Sequence, residues 1–401
     1  MKTARKSLAI AAVLPLALVA CNSSADKAVA GDIAAQDRDA GASLQSRDKP
    51  FDETAIADFD EPWAMTFLPN NLLLVTEKKG ALKIVDPQTG NMANVRGVPA
   101  VEYAGQGGLG DVVLGPDFAA DRMMYLSWIE AGPNDTSGAV VGRGTLNCAQ
   151  PMACTIEGLD IVWRQDPKVT GSGHFSHRIA FSPDGDYMFL SSGERQKKEP
   201  AQDLSNNLGS VLRLEPDGSV PENNPFAERG GPAAQVWSYG HRNILGLAFA
   251  PNGNLWANEM GPKGGDEINL IKRGENYGWP VRSNGINYDG SNIPDHSADD
   301  GFQKPKAFWD PAISPASMIY YTGSLFPQWQ DSLFLGALSG EALIRLKVED
   351  QNAVKADQWD MGARIREVEQ GPQGAVWVLQ DGTKGSGGKL LKLTPKDMPP
   401  S

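Results

Sequence analysis

Residues 247–259 read LAFAPNGNLWANE, and the fold turns on how that stretch is read. Two short apolar runs, 246–250 and 254–258, meet at Pro251-Asn252-Gly253, which predicts a β-hairpin. The pattern recurs at Met65 (MTFLPNNLLLVTE), Val112 (VVLGPDFAADRMMYLSW), Ile179 (IAFSPDGDYMFLSS), Met318 (MIYYTGSLFPQWQDSLFLGAL) and Val368 (VEQGPQGAVWVLQ). Six similar hairpins, spaced about as far apart as a four-stranded blade and its loops require, predict an all-β chain folded as a six-bladed β-propeller. Long amphipathic helical patterns are absent, and 44 glycines with 28 prolines suit a turn-rich β protein better than alternating strands and helices. A pair of β-sandwiches is the structural alternative, but it does not account for six hairpins. In a propeller the loops at one end of the channel line a cavity, so site groups come from several blades. The long segments 200–232 and 282–311 are expected to wall it.

Working outward, the N-terminus divides into three parts. Residues 1–20 join a basic start (Lys2, Arg5, Lys6) to an apolar run too short to be a comfortable membrane span, which predicts an export signal. Cys21 follows Leu18-Val19-Ala20 and resembles the lipidated cysteine of a bacterial lipoprotein. Residues 21–50, poor in large apolar groups, predict a tether, and 51–398 the propeller. An exported chain on a lipid anchor would then face the periplasm. There a disulfide between Cys148 and Cys154 is the natural expectation. The net charge of -12 lacks the basic footprint that nucleic-acid binding needs.

Chemistry-bearing residues cluster around the hairpins. The run 105–110, GQGGLG, satisfies the dinucleotide fingerprint in form, but a strand-like Val112-Val113-Leu114 follows where a helix is needed, so a nicotinamide enzyme is rejected. Its glycines let backbone approach closely, with Gln106 as a polar group at that approach. His174, in GHFSHR, precedes a hairpin and is placed to act as a general base, with Glu194 returning to its side to fix the tautomer. His177 is the weaker candidate, and His296, in an acidic loop, is expected to be solvated. Arg242 and Asn243 offer donors to a carboxylate or quinone oxygen. Gly261-Pro262 offers two carbonyls, and Glu267 with the turn at Tyr277 a carboxylate and a carbonyl, all suited to Ca²⁺. Arg364 and Arg366, two apart on an extended strand, make an anion clamp.

Taken together and in this order, GQGGLGD, GHFSHRIAFSPDG, SYGHRN, EMGPKGGDEINLI, NYGWP, FPQWQDSLFLGAL and RIREV resemble the soluble aldose sugar dehydrogenases, pyrroloquinoline quinone enzymes related to soluble glucose dehydrogenase. The resemblance spans about residues 55–396 and implies the same six-bladed propeller. It implies that His174 is the catalytic base supported by Glu194. Gln106, Arg242, Asn243, Tyr288, Ala337, Leu338, Ser339, Arg364 and Arg366 would lie at the cofactor. Gly261 and Pro262 would hold the cofactor-bound calcium, with Glu267 and Tyr277 at a further one. The implied reaction is oxidation of an aldose at C1 to the lactone, with an external electron acceptor completing the cycle. One departure stands out: where the family commonly carries a lysine after LGAL, this chain has Ser339. Two readings compete, a calcium-dependent lactonase-type propeller and a non-catalytic sugar-binding propeller.

Overall fold

The computed structural model describes residues 45–396. The expected leader, Cys21 and most of the tether lie outside the described residues. Of the tether's last positions, Arg47 donates its backbone N–H to the Gln358 carbonyl at 2.9 Å and pairs with Asp357 at 2.8 Å.

Six antiparallel sheets surround a central channel, each beginning with one of the six repeated hairpins. Blade 1 runs outward through Pro62–Phe67, Leu73–Glu77, Ala81–Val85 and Met92–Asn94; blade 2 through Leu109–Leu114, Met123–Ala131, Thr136–Gln150 and Ala153–Arg164. Blade 3 comprises Ser176–Phe181, Met188–Ser192, Ser210–Leu214 and Val236–Tyr239, and blade 4 Ile244–Phe249, Leu255–Glu259, Asp266–Ile271 and Ala307–Trp309. Blade 5 is Pro315–Tyr321, Ser332–Ala337, Ala342–Glu349 and Asn352–Asp360. Blade 6 takes Ile365–Gln370, Val376–Gln380 and Gly388–Pro395 from the C-terminal end of the chain and its outer strand, Phe51–Phe59, from the N-terminal end. The register runs from Phe51 opposite Pro395 to Phe59 opposite Gly388, so the ring is closed by hydrogen bonds between the two ends. This pairing ties the N-terminal strand into the last blade, so the two ends of the chain lock the ring.

Local chemistry explains the hairpins. At the turns of blades 3 and 4, Gly185 and Gly253 take the positive φ that the turn demands. Blade 1 has no glycine there, and Asn71 adopts φ 67 instead, as asparagine tolerates better than most residues. The cores lie between neighbouring blades. Between blades 5 and 6, Phe51 meets Trp329 and Trp359 edge-on at 5.9 and 5.5 Å, so the closing strand is held by packing as well as by its ladder.

One expectation is corrected. Segment 200–232 is not an insertion over the site, because Ser210–Leu214 within it is the third strand of blade 3. The expected disulfide between Cys148 and Cys154 is formed, at the tip of a long hairpin of blade 2, with the two cysteines directly paired in register.

Candidate active site

Every inner hairpin carries a register shift near the start of its first strand: Pro62/Met65, Leu109/Val112, Ser176/Ile179, Ile244/Gly246, Pro315/Met318 and Ile365/Glu367. A bulge breaks strict alternation and re-aims side chains. These bulges sit at one end of the channel, and Trp63, His177, Leu245 and Arg366, all inside them, line a cavity of about 510 Å³. In blade 3 the distortion is strongest, with His174, Ser176 and His177 all at positive φ.

His174 is buried, and its backbone N–H donates to Gln106 Oε1 at 2.7 Å, which holds the unusual conformation. Its Nδ1 is hydrogen-bonded to Glu194, the last position before the blade 3 chain turns away. Glu194 also accepts from the Lys198 N–H at 2.6 Å. Burial lowers the His174 pKa, opposed by Glu194 and reinforced by Arg242. Burial is the largest single influence on Glu194 and would raise it, but the bond and charge of His174, the Lys198 N–H and Arg242 together outweigh burial, and its pKa falls below the usual carboxylate value. Both directions describe a neutral imidazole beside a carboxylate. Glu194 can only accept, so Nδ1 carries the proton and Nε2 keeps its lone pair.

Arg242 approaches from blade 4. Its backbone N–H is fixed by Glu259 at 2.6 Å, and its guanidinium reaches the Met260 carbonyl at 3.0 Å and the Tyr288 hydroxyl at 3.3 Å. Its Nε is buried and has no hydrogen-bond partner among the described residues. A buried charged donor left unsatisfied is costly, and a ligand oxygen would remove the cost. Tyr288, 74% exposed, overhangs the cavity from segment 282–311, the one of the two expected walls that reaches the site. Asn243 accepts from Ser176 Oγ at 3.2 Å and lies behind the cavity surface.

On the blade 6 side, Arg364 and Arg366 face the same way, and both are held by Asp381, at 2.7 and 2.6 Å. Burial acts to raise the Asp381 pKa, but Arg366, Thr383 and Arg364 pull it down to about 2. The arginines keep donors that Asp381 does not use, and both line the cavity. Leu338 and Ser339 line it too, whereas Ala337 is fully buried in its strand. Ser339 is exposed and shares a 2.8 Å hydrogen bond with Ser314.

Gly261 and Pro262 line this cavity, and their carbonyls accept no hydrogen bond among the described residues. Behind Arg242 a much smaller cavity is lined by Glu259, Gly261, Glu267 and Tyr277. There Glu267 faces Glu259 across adjacent strands and takes one bond, from Asn269 at 3.2 Å. Burial, then the Glu259 charge, pushes Glu267 well above the ordinary carboxylate pKa. Two buried carboxylates side by side, with a Tyr277 carbonyl that accepts no hydrogen bond among the described residues, form an oxygen-rich site of the kind calcium takes, with Arg242 and Arg282 also in its lining. The donor sets thus fit both groups that the sequence implied. Pyrroloquinoline quinone would meet Arg242, Arg364, Arg366 and Gln106, and calcium would meet Gly261 and Pro262 in the larger cavity or Glu267 and Tyr277 in the smaller.

His177 also lines the cavity, but its Nδ1 is bonded to Ser127 Oγ at 2.7 Å, its ring stacks on Trp63, and burial drives its pKa to about 3. His296 is not solvated: its side chain is 3% exposed, 3.6 Å from Asp300. Sequence reading missed Asp381, Lys78, Glu61 and Trp63. For Asp381 the signal was weak, an acidic residue directly ahead of Gly382 with no pattern tying it to the arginines.

The family described as Glucose / Sorbosone dehydrogenase matches residues 59–392. The aldose sugar dehydrogenase YliI of Escherichia coli is 40% identical over 344 residues, which cover 84% of this chain and 91% of that protein. The apo crystal structure of the soluble E. coli aldose sugar dehydrogenase superposes with a TM-score of 0.81 at 40% identity, covering 86% of this chain and all (100%) of that one. The pyrroloquinoline quinone-bound aldose sugar dehydrogenase of Streptomyces coelicolor gives 0.72 at 30% identity, over 87% of this chain and 99% of its own.

Proposed function

Because the chain belongs to the glucose/sorbosone dehydrogenase family, we propose that it oxidises aldose sugars at C1 to the lactone with pyrroloquinoline quinone as acceptor and Ca²⁺ at Gly261 and Pro262. The observation that carries this reading is the His174–Glu194 pair, a neutral base with its tautomer set, on the wall of a cavity that also holds Arg242. When bound, the quinone supplies the acceptor for the hydride leaving C1.

His174 Nε2 takes the proton of the C1 hydroxyl, and Glu194 stabilises the imidazolium that results. Lowered by burial, the His174 pKa leaves the ring unprotonated at neutral pH. Arg242 directs fixed N–H donors at oxygen on which negative charge develops, and burial of its Nε strengthens that interaction. Arg364 and Arg366, braced by Asp381, orient carboxylates without having to reorganise. Tyr288 closes part of the cavity to water. A separate electron acceptor would complete the cycle, and the Cys21 lipid anchor would hold the enzyme at the membrane on the periplasmic side.

The lactonase reading fits less well: among the described residues no group of three or more His, Cys, Asp or Glu converges to hold a metal. The test is reconstitution of the purified chain with pyrroloquinoline quinone and Ca²⁺, followed by dye reduction with a panel of aldoses and identification of the product. A lactone product is expected. Loaded protein that turns over none of the sugars sinks the proposal and leaves the non-catalytic sugar binder.

A further inference from the structure

Five basic side chains, Lys78, Arg242, Arg364, Arg366 and Lys384, line the large cavity against two acidic ones, Glu61 and Asp266. In a chain of net charge -12 this is a local reversal of sign, and it marks the ligand as an anion. The reversal is smaller than it looks. Arg364 and Arg366 share the single carboxylate of Asp381, so the pair presents about one net positive charge, and Ser339 adds none. Pyrroloquinoline quinone carries three carboxylates. With Ca²⁺ held at Gly261 and Pro262 the total charge can be met, but Arg242 and the braced Arg364–Arg366 pair give side-chain donors to two carboxylates, and a donor for the third is still to be assigned.

Lys78 is placed to be that donor. It is 9% exposed, and its main chain is fixed on both sides. The Lys78 N–H donates to the Glu61 carbonyl at 3.0 Å, and its own carbonyl accepts from Leu109 N at 2.9 Å. Gly108 packs so closely on that carbonyl that a Cβ there would come within 2.1 Å of it. The close backbone approach of the GQGGLG run thus locks Lys78 beside Gln106. Nζ donates to the Gly105 carbonyl at 3.2 Å, and its nearest carboxylate, Glu61, stands at 3.9 Å with its other oxygen occupied by the Tyr103 hydroxyl. A lysine donates three hydrogen bonds, and Lys78 uses one on a protein oxygen. Glu61 at 3.9 Å and the Tyr103 ring at 5.5 Å compensate the ammonium in part and leave it donors for an arriving anion.

Resting on the reading of this cavity as a pyrroloquinoline quinone site, we propose that Lys78 is a cofactor-binding residue that donates to a carboxylate of the quinone and supplies a cation that Ser339 lacks. Its role is affinity, not proton transfer.

The test is a titration of the calcium-loaded protein with pyrroloquinoline quinone, read by quenching of tryptophan fluorescence and by calorimetry at two salt concentrations. Lys78→Met should weaken binding at least tenfold and flatten its salt dependence. Lys78→Arg should stay within about threefold of wild type, and Lys347→Met, an exposed blade 5 lysine that pairs with Glu349 away from the cavity, should change little. Circular dichroism and the melting temperature of each variant without quinone control for folding, and Lys78→Gln replaces the methionine variant if that one misfolds. Binding by a folded Lys78→Met or Lys78→Gln protein equal to wild type overturns the role of Lys78 alone. Failure of the wild-type chain to bind the quinone at all overturns the reading of the cavity, and Lys78 with it.

Discussion

Arg178 and Arg366 both meet carboxylates near the propeller axis, yet they are used in opposite ways. Arg178 places every guanidinium nitrogen on a protein partner: Nε on the Leu245 carbonyl at 2.7 Å, one terminal nitrogen on Asp111 at 3.1 Å, the other on Glu367 at 2.5 Å, and its face on Trp63. Those partners come from blades 1, 2, 4 and 6, so one residue of blade 3 ties the ring across its centre. Arg366 and Arg364 are held from behind by Asp381 and keep donors facing the cavity. The histidines divide likewise. His177 is satisfied by Ser127 and Trp63, while His174, three residues earlier, is fixed at Nδ1 and open at Nε2. Saturated polar groups form a plug that specifies the fold, and half-saturated ones form the wall that meets a ligand.

The comparison breaks most visibly at the histidines. His174→Ala, in quinone- and calcium-loaded protein, should lower kcat about a thousandfold, the scale of a lost general base, with little change in melting temperature. Equal losses of activity and stability would put His174 in the plug instead. Arg178→Met should do the reverse. It strands Asp111 and Glu367 in the interior and should cost about 3–5 kcal/mol in denaturant unfolding.

Smaller effects sharpen the same division. Since burial lowers the His174 pKa and Glu194 partly restores it, activity should hold through neutral pH and fall along an acid limb centred below 6.5. Glu194→Gln should reduce kcat about tenfold or more and move that limb to lower pH, because the group that raises the His174 pKa is gone. A limb that stays in place argues against the pair. At the smaller cavity, Glu267 is raised in the folded state, so its protonation stabilises the fold below its unfolded pKa near 4.5. That contribution is lost as pH rises through the higher folded value. Ca²⁺ should therefore raise the melting temperature by a few degrees, more at pH 8 than at pH 5, and Glu267→Gln should remove the difference. Least of all, Ser339→Lys should tighten quinone binding several-fold; an unchanged affinity would mean that the cavity is already balanced.

How much of this was legible beforehand depended on distance along the chain. The six hairpins are local, each a pair of apolar runs around a turn, and all six became the inner strands of blades. His174, Glu194 and Arg242 stand at the ends of such strands, which is why spacing could nominate them. Asp381 could not be nominated, because it meets Arg364 and Arg366 only when two strands of blade 6 are paired. His296 looked solvated by its acidic neighbours, whereas the folded loop buries it.

The sequence alone therefore determined the repeat, the all-β class and the identity of the groups able to carry charge and protons, since turn chemistry and side-chain type act over a few residues. Tertiary structure decided which of those groups were spent and which left open. The bulge at the head of every inner strand overrides the two-residue alternation, turning His177 and Arg178 into saturated contacts and Arg366 toward the cavity. It also decided closure, because Phe51–Phe59 finds Gly388–Pro395 only when the whole ring has brought the two ends together.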